Sequence, residues 1–417
     1  MNAERNTFKN IDKPLLLIYL LLVVAGWFNI FSVVYDPETS AGFSLASRYG
    51  KQLLFIGLAF LIGAVVLLVD IRIFSQFAYL YYGIAIGLLC MVLVLGTEIS
   101  GAKAWIKIGS FSIQPSEFAK IATCLAFAKY VSQPAMDMKR VRNQIAASLW
   151  FLLPMGLILL QPDAGSALVF VSFALVLYRE GMSGKVLLAG MVAVVLFVAA
   201  LLVNRYILIG VIAAAVLLLL FLNRRSFKNI ALAVLLFTVC SFYTLGVDYA
   251  FNKLSAHQQT RINVLLGKES DIKGAGYNVN QSKIAIGSGG FHGKGYLQGT
   301  QTKFNFVPEQ CTDFIFCTLG EEWGWVGCTL FLVLYMVLLI RIVKMAERQR
   351  SAYARVYGYG VACIFFMHLF VNVGMTIGLL PVIGIPLPFF SYGGSSLWAF
   401  TLLLFIFVKM DTKRYAG

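Results

Sequence analysis

The chain has 417 residues, 59% of them hydrophobic and 13% charged, with a mean hydropathy of +0.81. That composition excludes a water-soluble globule, and the lack of period-two alternation excludes a transmembrane barrel, so the chain reads as an all-α polytopic membrane protein. The formal net charge of +15 does not imply nucleic acid, because most Lys and Arg fall in short connections between apolar runs, where the positive-inside bias puts them.

Taken in order, apolar runs fall at about 14–35, 51–69, 75–95, 115–131, 147–161, 164–179, 185–203, 206–222, 229–246, 313–340, 357–380 and 386–409. Several reach the roughly 20 residues that a helix needs to cross a hydrocarbon core about 30 Å thick. The pattern predicts a bundle of about twelve spans, with only Gln161-Pro162-Asp163 separating the fifth from the sixth and Asn204-Arg205 the seventh from the eighth. The first run has no small-residue cleavage pattern and reads as a retained anchor. The pair over 185–222 carries almost no polar residue and reads as a lipid-facing appendage. No repeat or soluble domain interrupts the chain, so residues 1–417 read as one membrane domain.

Orientation follows from the basic connections: Lys139, Arg140 and Arg142; Arg179 and Lys185; Arg224, Arg225 and Lys228; then Arg341, Lys344, Arg348, Arg350 and Arg355. If the twelve spans alternate, these share one side with Arg5, Lys9 and Lys13 at one end and Lys409, Lys413 and Arg414 at the other, and both termini are cytoplasmic. Four connections then lie outside: 96–114, 161–165, 381–388 and the large loop over about 247–312. That loop is itself basic, through Lys253, Arg261, Lys268, Lys273, Lys283, Lys294 and Lys303. It is either a solvated surface or a receiver for an anion such as pyrophosphate.

The external connections hold the residues that look chemical. Asp313 stands where water meets the tenth apolar run; it either caps the following helix or, partly desolvated, serves as a general base. Glu321 and Glu322 lie about two turns further on and read as partners of a basic residue or as a source of field at the site. The run from Gly101 through Lys103, Trp105 and Lys107 to Gly109 reads as an interfacial element, with Trp105 in the aromatic belt. Pro115, Ser116 and Glu117 make a helix start, and Glu117 and Lys120, spaced i, i+3, are close enough to pair. Asp163 either caps the next helix or faces the external cavity near Asp313. The glycines at 287–290 and 293–295 fail the phosphate-loop pattern, because Lys294 is followed by Gly, and they read first as close turn packing. Pro381, Pro386, Pro388 and the paired Gly393-Gly394 break the last span, and irregular backbone at that depth suits the wall of a wet site. The seven Cys form no CxxC pair and read as small core residues. His257, His292 and His368 have no metal-ligand spacing.

Several of these stretches together resemble the SEDS family of bacterial cell-wall proteins (shape, elongation, division and sporulation), almost end to end. The resemblance rests on Gln114-Pro115-Ser116-Glu117 with Lys120, on Gln161-Pro162-Asp163, on residues 280–290 (NQSKIAIGSGG), on Pro308-Glu309 with Thr312-Asp313-Phe314, and on Gly384 through Pro388 to Ser391-Tyr392-Gly393-Gly394. Gly293-Lys294-Gly295 through Gly299-Thr300-Gln301 looks like the elongation-type members. The family usually has about ten spans, so the resemblance implies a surplus pair between about 185 and 246.

The resemblance implies a peptidoglycan glycosyltransferase in the bacterial cytoplasmic membrane, polymerising lipid II at the outer face with a class B penicillin-binding protein as partner and membrane lipids around it. It matches Asp313 to the family's essential acid, Trp105 to an important external tryptophan, and Glu117, Lys120 and Asp163 to cavity residues. Lys294, Glu309 and Ser391 join the expected substrate-binding set. The implied reaction is inverting, with Asp313 taking a proton from the acceptor hydroxyl. Lys103, Lys107 or Lys294, with a divalent cation such as Mg or Mn as a further candidate, would steady the leaving pyrophosphate. A lipid II flippase and a non-enzymatic scaffold are the alternative readings.

Overall fold

In the computed structural model the described residues are 10–35, 45–99, 102–109, 111–222, 226–253, 275–303 and 306–414, with two single positions at 259 and 263. Arg5, Lys9, Arg224, Arg225, His257, Arg261, Lys268, Lys273 and Gly101 lie outside them. Two compact units emerge, one from residues 1–182 with 278–417, the other from 183–277.

The first unit opens with α1 (Lys13–Val34), where the Asp12 carboxylate accepts from Leu15 N at 3.1 Å and Pro14 occupies the first turn. Ser47 caps α2 (Arg48–Leu68) in the same way, and Asp70 caps the short α3 (Ile71–Gln76) ahead of α4 (Ala78–Leu95). The stretch that follows is an antiparallel sheet of β1 (Thr97–Ile99), β2 (Ala102–Ile108) and β3 (Phe111–Ile113), in that order. Alternation places Lys103, Trp105 and Lys107 on one face of β2, and Ala104, fully buried, on the other. The interfacial element expected there is thus a small sheet, and the other regular elements among the described residues are helices.

β3 leads through Gln114 into α5 (Pro115–Val131), and α6 (Val141–Leu159) carries Pro154 in its interior. The sixth apolar run forms two pieces, α7 (Ala164–Phe170) and α8 (Phe173–Arg179). The second unit holds α9 (Gly184–Leu202), α10 (Arg205–Leu222) and α11 (Phe227–Lys253). Only 6%, 11% and 17% of their apolar windows are buried, and Leu188, Val194, Phe221 and Phe242 stand exposed, as in helices that meet lipid.

The large connection is more regular than expected of a loop. It begins only after Lys253 and contains α12 (Ala275–Gly289) and the short α13 (Thr300–Lys303). Hydrophobic periodicity does not reveal α12, because its buried face is made of Ser282, Ala285 and Gly289. These small residues let its backbone approach the next helix. A Cβ on Gly289 would lie 2.1 Å from the Gly320 carbonyl.

α14 (Ile315–Glu347) is interrupted at Gly324, whose φ of 61° falls in the left-handed region that favours glycine. α15 (Ala352–Thr376) and α16 (Gly394–Thr412) follow. Their apolar windows are 72% and 83% buried, so they are the core of the first unit. α15 packs against α14, α5 and α8, and α16 against α2. The last helix starts at Gly394, later than the apolar run at 386, because three prolines within 381–388 remove amide donors from the preceding backbone. Among the described residues nine helices are long and apolar enough to cross a membrane: α1, α2, α4, α9, α10, α11, α14, α15 and α16. α5, α6 and the α7–α8 pair cover the other three predicted runs.

Candidate active site

The candidate site is built on the irregular backbone between α15 and α16. Residues 377–393 cannot satisfy their own amides and carbonyls as a helix would, so side chains do it. Asn372 Nδ2 donates to the carbonyls of both Asp313 and Ile385, each at 2.8 Å. Ser391 Oγ donates to the Thr312 carbonyl at 2.6 Å and accepts from Leu387 N at 2.9 Å. Tyr392 N donates to the Cys311 carbonyl at 2.9 Å. Residues 311–313 are therefore stitched to this loop on both sides.

The cap position of α14 falls on Phe314, one residue past Asp313, and Phe314 packs in a small apolar cluster with Ala285, Val307 and Cys317. The Asp313 side chain is half-buried. It rests against Gly384, whose φ of +73° leaves room where a Cβ would stand 3.1 Å from Asp313 Oδ2. Glu309 closes the preceding turn: its carbonyl accepts from Thr312 N at 3.1 Å and Phe314 N at 3.2 Å, and its carboxylate lies 3.1 Å from the Thr312 hydroxyl. Burial pushes the Cys311 thiol up, with Arg48 opposing, which disfavours the thiolate a cysteine nucleophile would need.

The same loop meets Asp163 from the other side. Asp163 caps α7, accepting from Ser166 N at 3.0 Å, and its second oxygen accepts from Gln114 Nε2 at 2.9 Å. Two residues on, a Cβ at Gly165 would lie 2.7 Å from the Ile383 carbonyl and 3.1 Å from that of Gly384. The capping reading of Asp163 is thus observed, and Gly165, two residues on, borders the 383–385 backbone against which Asp313 also rests. Glu117 and Lys120 pair at 2.8 Å and are buried, as their spacing predicts. Lys120 also reaches His368 Nε2 at 2.9 Å and lies over the ring of Phe400.

Two expected substrate ligands are engaged elsewhere. Lys294 Nζ lies 2.7 Å from Glu321 Oε1, and Glu321 also accepts from Gln301 N and Thr302 N at 2.9 and 3.0 Å. Glu322 accepts from Leu297 N at 3.2 Å and from the Ser32 hydroxyl. These two acids hold the 290–303 tract on the Gly324 break, where Gly293 N sits 2.3 Å from the place of a Gly324 Cβ, so the glycine tract is close turn packing. Lys103 Nζ is 3.2 and 3.1 Å from the carbonyls of Leu93 and Val94, closing the end of α4. Lys107, exposed on the same strand face, makes no such bond among the described residues. Trp105 is half-buried in the sheet, which leads through β3 to Gln114 and so to Asp163.

Among the described residues no group of three or more His, Cys, Asp or Glu side chains is arranged to hold a metal ion. Sequence reasoning missed His368 and Asn372 as parts of the site. The available signal was two polar residues at i, i+4 in an otherwise apolar span.

Comparison with known proteins matches two stretches, residues 13–211 and 191–416, to the family model FtsW/RodA/SpoVE, described as a cell cycle protein. The peptidoglycan glycosyltransferase MrdB of Escherichia coli K12 is 34% identical over 417 residues, covering 99% of this chain and 97% of its own. The peptidoglycan glycosyltransferase RodA of Treponema pallidum is 34% identical over 429 residues, covering 97% and 98%. Among solved structures, one described as showing structural coordination of polymerization and crosslinking by a peptidoglycan synthase complex aligns with a TM-score of 0.73 at 28% identity, over 98% of this chain and 99% of the other. The rod shape determining protein RodA of Thermus thermophilus aligns with a TM-score of 0.63 at 26% identity, over 97% and 98%. The matched length, the relatives and the shared helical fold agree, and the chain belongs to the FtsW/RodA/SpoVE family.

Proposed function

We propose that the chain is a peptidoglycan glycosyltransferase that polymerises lipid II at the outer face of the bacterial cytoplasmic membrane, with Asp313 as general base. The observation that carries the assignment of the base is the half-buried Asp313 carboxylate held against Gly384 of the proline-broken stretch between α15 and α16. A carboxylate so fixed accepts the proton of the acceptor sugar's 4-hydroxyl as that oxygen attacks the anomeric carbon of a lipid-linked donor. The new C–O bond forms as the bond to the pyrophosphate oxygen breaks, the anomeric centre inverts, and undecaprenyl pyrophosphate leaves with its charge. Among the described residues Lys107, exposed on the sheet face it shares with Trp105, is a cation available to that charge.

In this reading residues 1–417 form one membrane domain of about twelve spans, nine as long helices and three as α5, α6 and α7–α8, with 247–312 outside and both termini cytoplasmic. A class B penicillin-binding protein is the partner, in keeping with the coupled polymerization and crosslinking of the similar complex. The test is to purify the chain with that partner and supply lipid II in vesicles. Glycan strands from the intact complex support the enzyme; transbilayer movement of lipid II without polymer would replace it with a flippase.

A further inference from the structure

His368 lies on α15, fully buried, and is not used by the mechanism above. Its Nδ1 is 2.9 Å from the Pro386 carbonyl and its Nε2 is 2.9 Å from Lys120 Nζ. A carbonyl oxygen only accepts, so Nδ1 carries the hydrogen. Lys120, paired with the Glu117 carboxylate at 2.8 Å, is an ammonium and only donates, so Nε2 is the bare nitrogen. The partners on both sides thus select one neutral tautomer. Four residues along the same helix face, Asn372 donates to Ile385 and Asp313. Together the two side chains tie the carbonyls of residues 385 and 386 to α15, directly beyond Gly384, which bounds the Asp313 carboxylate.

We propose that His368 is a positioning residue for glycosyl transfer: locked by Lys120 as the Nδ1–H tautomer, it fixes the Pro386 side of the loop that holds Asp313 in place. The inference rests on Asp313 being the base. It assigns the buried Glu117–Lys120 pair a task as well, because the pair orients the imidazole that grips the loop. Such a relay acts on the reacting geometry and not on substrate affinity, so its loss lowers kcat and leaves KM in place.

Two substitutions separate the ends of the imidazole. In His368→Asn the amide nitrogen replaces Nδ1 and keeps the donor to Pro386; in His368→Gln the amide oxygen replaces Nε2 and keeps an acceptor for Lys120, while the loop bond is lost. With the full chain in complex with its penicillin-binding partner and lipid II as substrate, His368→Gln should lower kcat about tenfold or more, with KM within about twofold, and His368→Asn should stay within about threefold of the parent. Equal losses in the two, a larger loss in His368→Asn, or a change confined to KM would overturn the inference. If His368→Gln does not fold, His368→Asn decides, a tenfold fall in kcat counting against it. Independently, imidazole ¹⁵N spectra of the histidine-labelled protein, which has three His, should show for His368 a protonated Nδ1 and a bare Nε2; the opposite tautomer would overturn the relay. Asp313→Asn in the same assay keeps the two claims apart: an active Asp313→Asn removes the base, whereas an inactive one beside an unaffected His368→Gln removes only the relay.

Discussion

Replacing Gly384 with alanine adds one methyl group at the point where loop and carboxylate meet. Its φ of +73° places an L-residue in the left-handed region, which costs roughly 1–2 kcal/mol. The new Cβ would stand 3.1 Å from Asp313 Oδ2, inside ordinary van der Waals contact at 3.4 Å and beyond, so loop or carboxylate must give by a few tenths of an ångström. A misplacement of about 1 Å costs about a hundredfold in rate, so a shift of a few tenths with a strained loop should lower kcat about three- to tenfold. The assay is lipid II polymerisation by the purified complex, with thermal unfolding measured in parallel. Gly287→Ala is the matched control, since nothing lies within 4 Å of the added Cβ. In the last turn of α12 it should change stability by less than about 1 kcal/mol and leave the rate within about twofold. A Gly384→Ala complex as active as the parent would refute the placement of the carboxylate against this glycine.

Other parts of the site give further expectations. Glu117→Ala strands the buried Lys120 ammonium and should cost about 3–5 kcal/mol in a denaturation assay, while Glu117→Leu combined with Lys120→Met should recover most of that stability, though not activity. Glu321→Ala releases Lys294 and the amides of Gln301 and Thr302, and hydrogen exchange across 297–303 should rise with little change in α15 or α16. At the other end of the bundle, burial pushes the Asp12 carboxyl up, but the Arg341 hydrogen bond, the Leu15 amide and the charges of Arg341 and Arg348 outweigh it, so the group sits below its usual 3.8. Its stabilisation is present above that value and is lost as pH falls through the lower folded value. Thermal midpoints should therefore fall on acidification below about pH 4 less steeply in Asp12→Asn than in the parent.

The helical runs are legible in the sequence because lipid demands uninterrupted apolar stretches, and the Glu117–Lys120 pair is legible because i, i+3 spacing forces the two together. The start of the last helix is not: Leu387, Phe389 and Phe390 are apolar and buried but belong to the proline-broken loop, so hydropathy reads them as span. α12 is hidden because its packing face is small and not apolar, which suits backbone approach but leaves no hydrophobic period. Lys103 and Lys294 look like free external cations, yet the carbonyls of Leu93 and Val94 and the Glu321 carboxylate engage them. Asn372 and His368 escape notice because their partners include backbone carbonyls more than ten residues away, which no side-chain pattern announces.

The measurement closest to the central claim is the single-turnover rate of lipid II consumption by the complex carrying Asp313→Asn, an amide of the same shape that cannot take a proton. A general base contributes about 10²–10⁴-fold, so the rate should fall by at least about a hundredfold while thermal stability and partner binding stay unchanged. A rate within about threefold of the parent complex would contradict the assignment of Asp313 as the base.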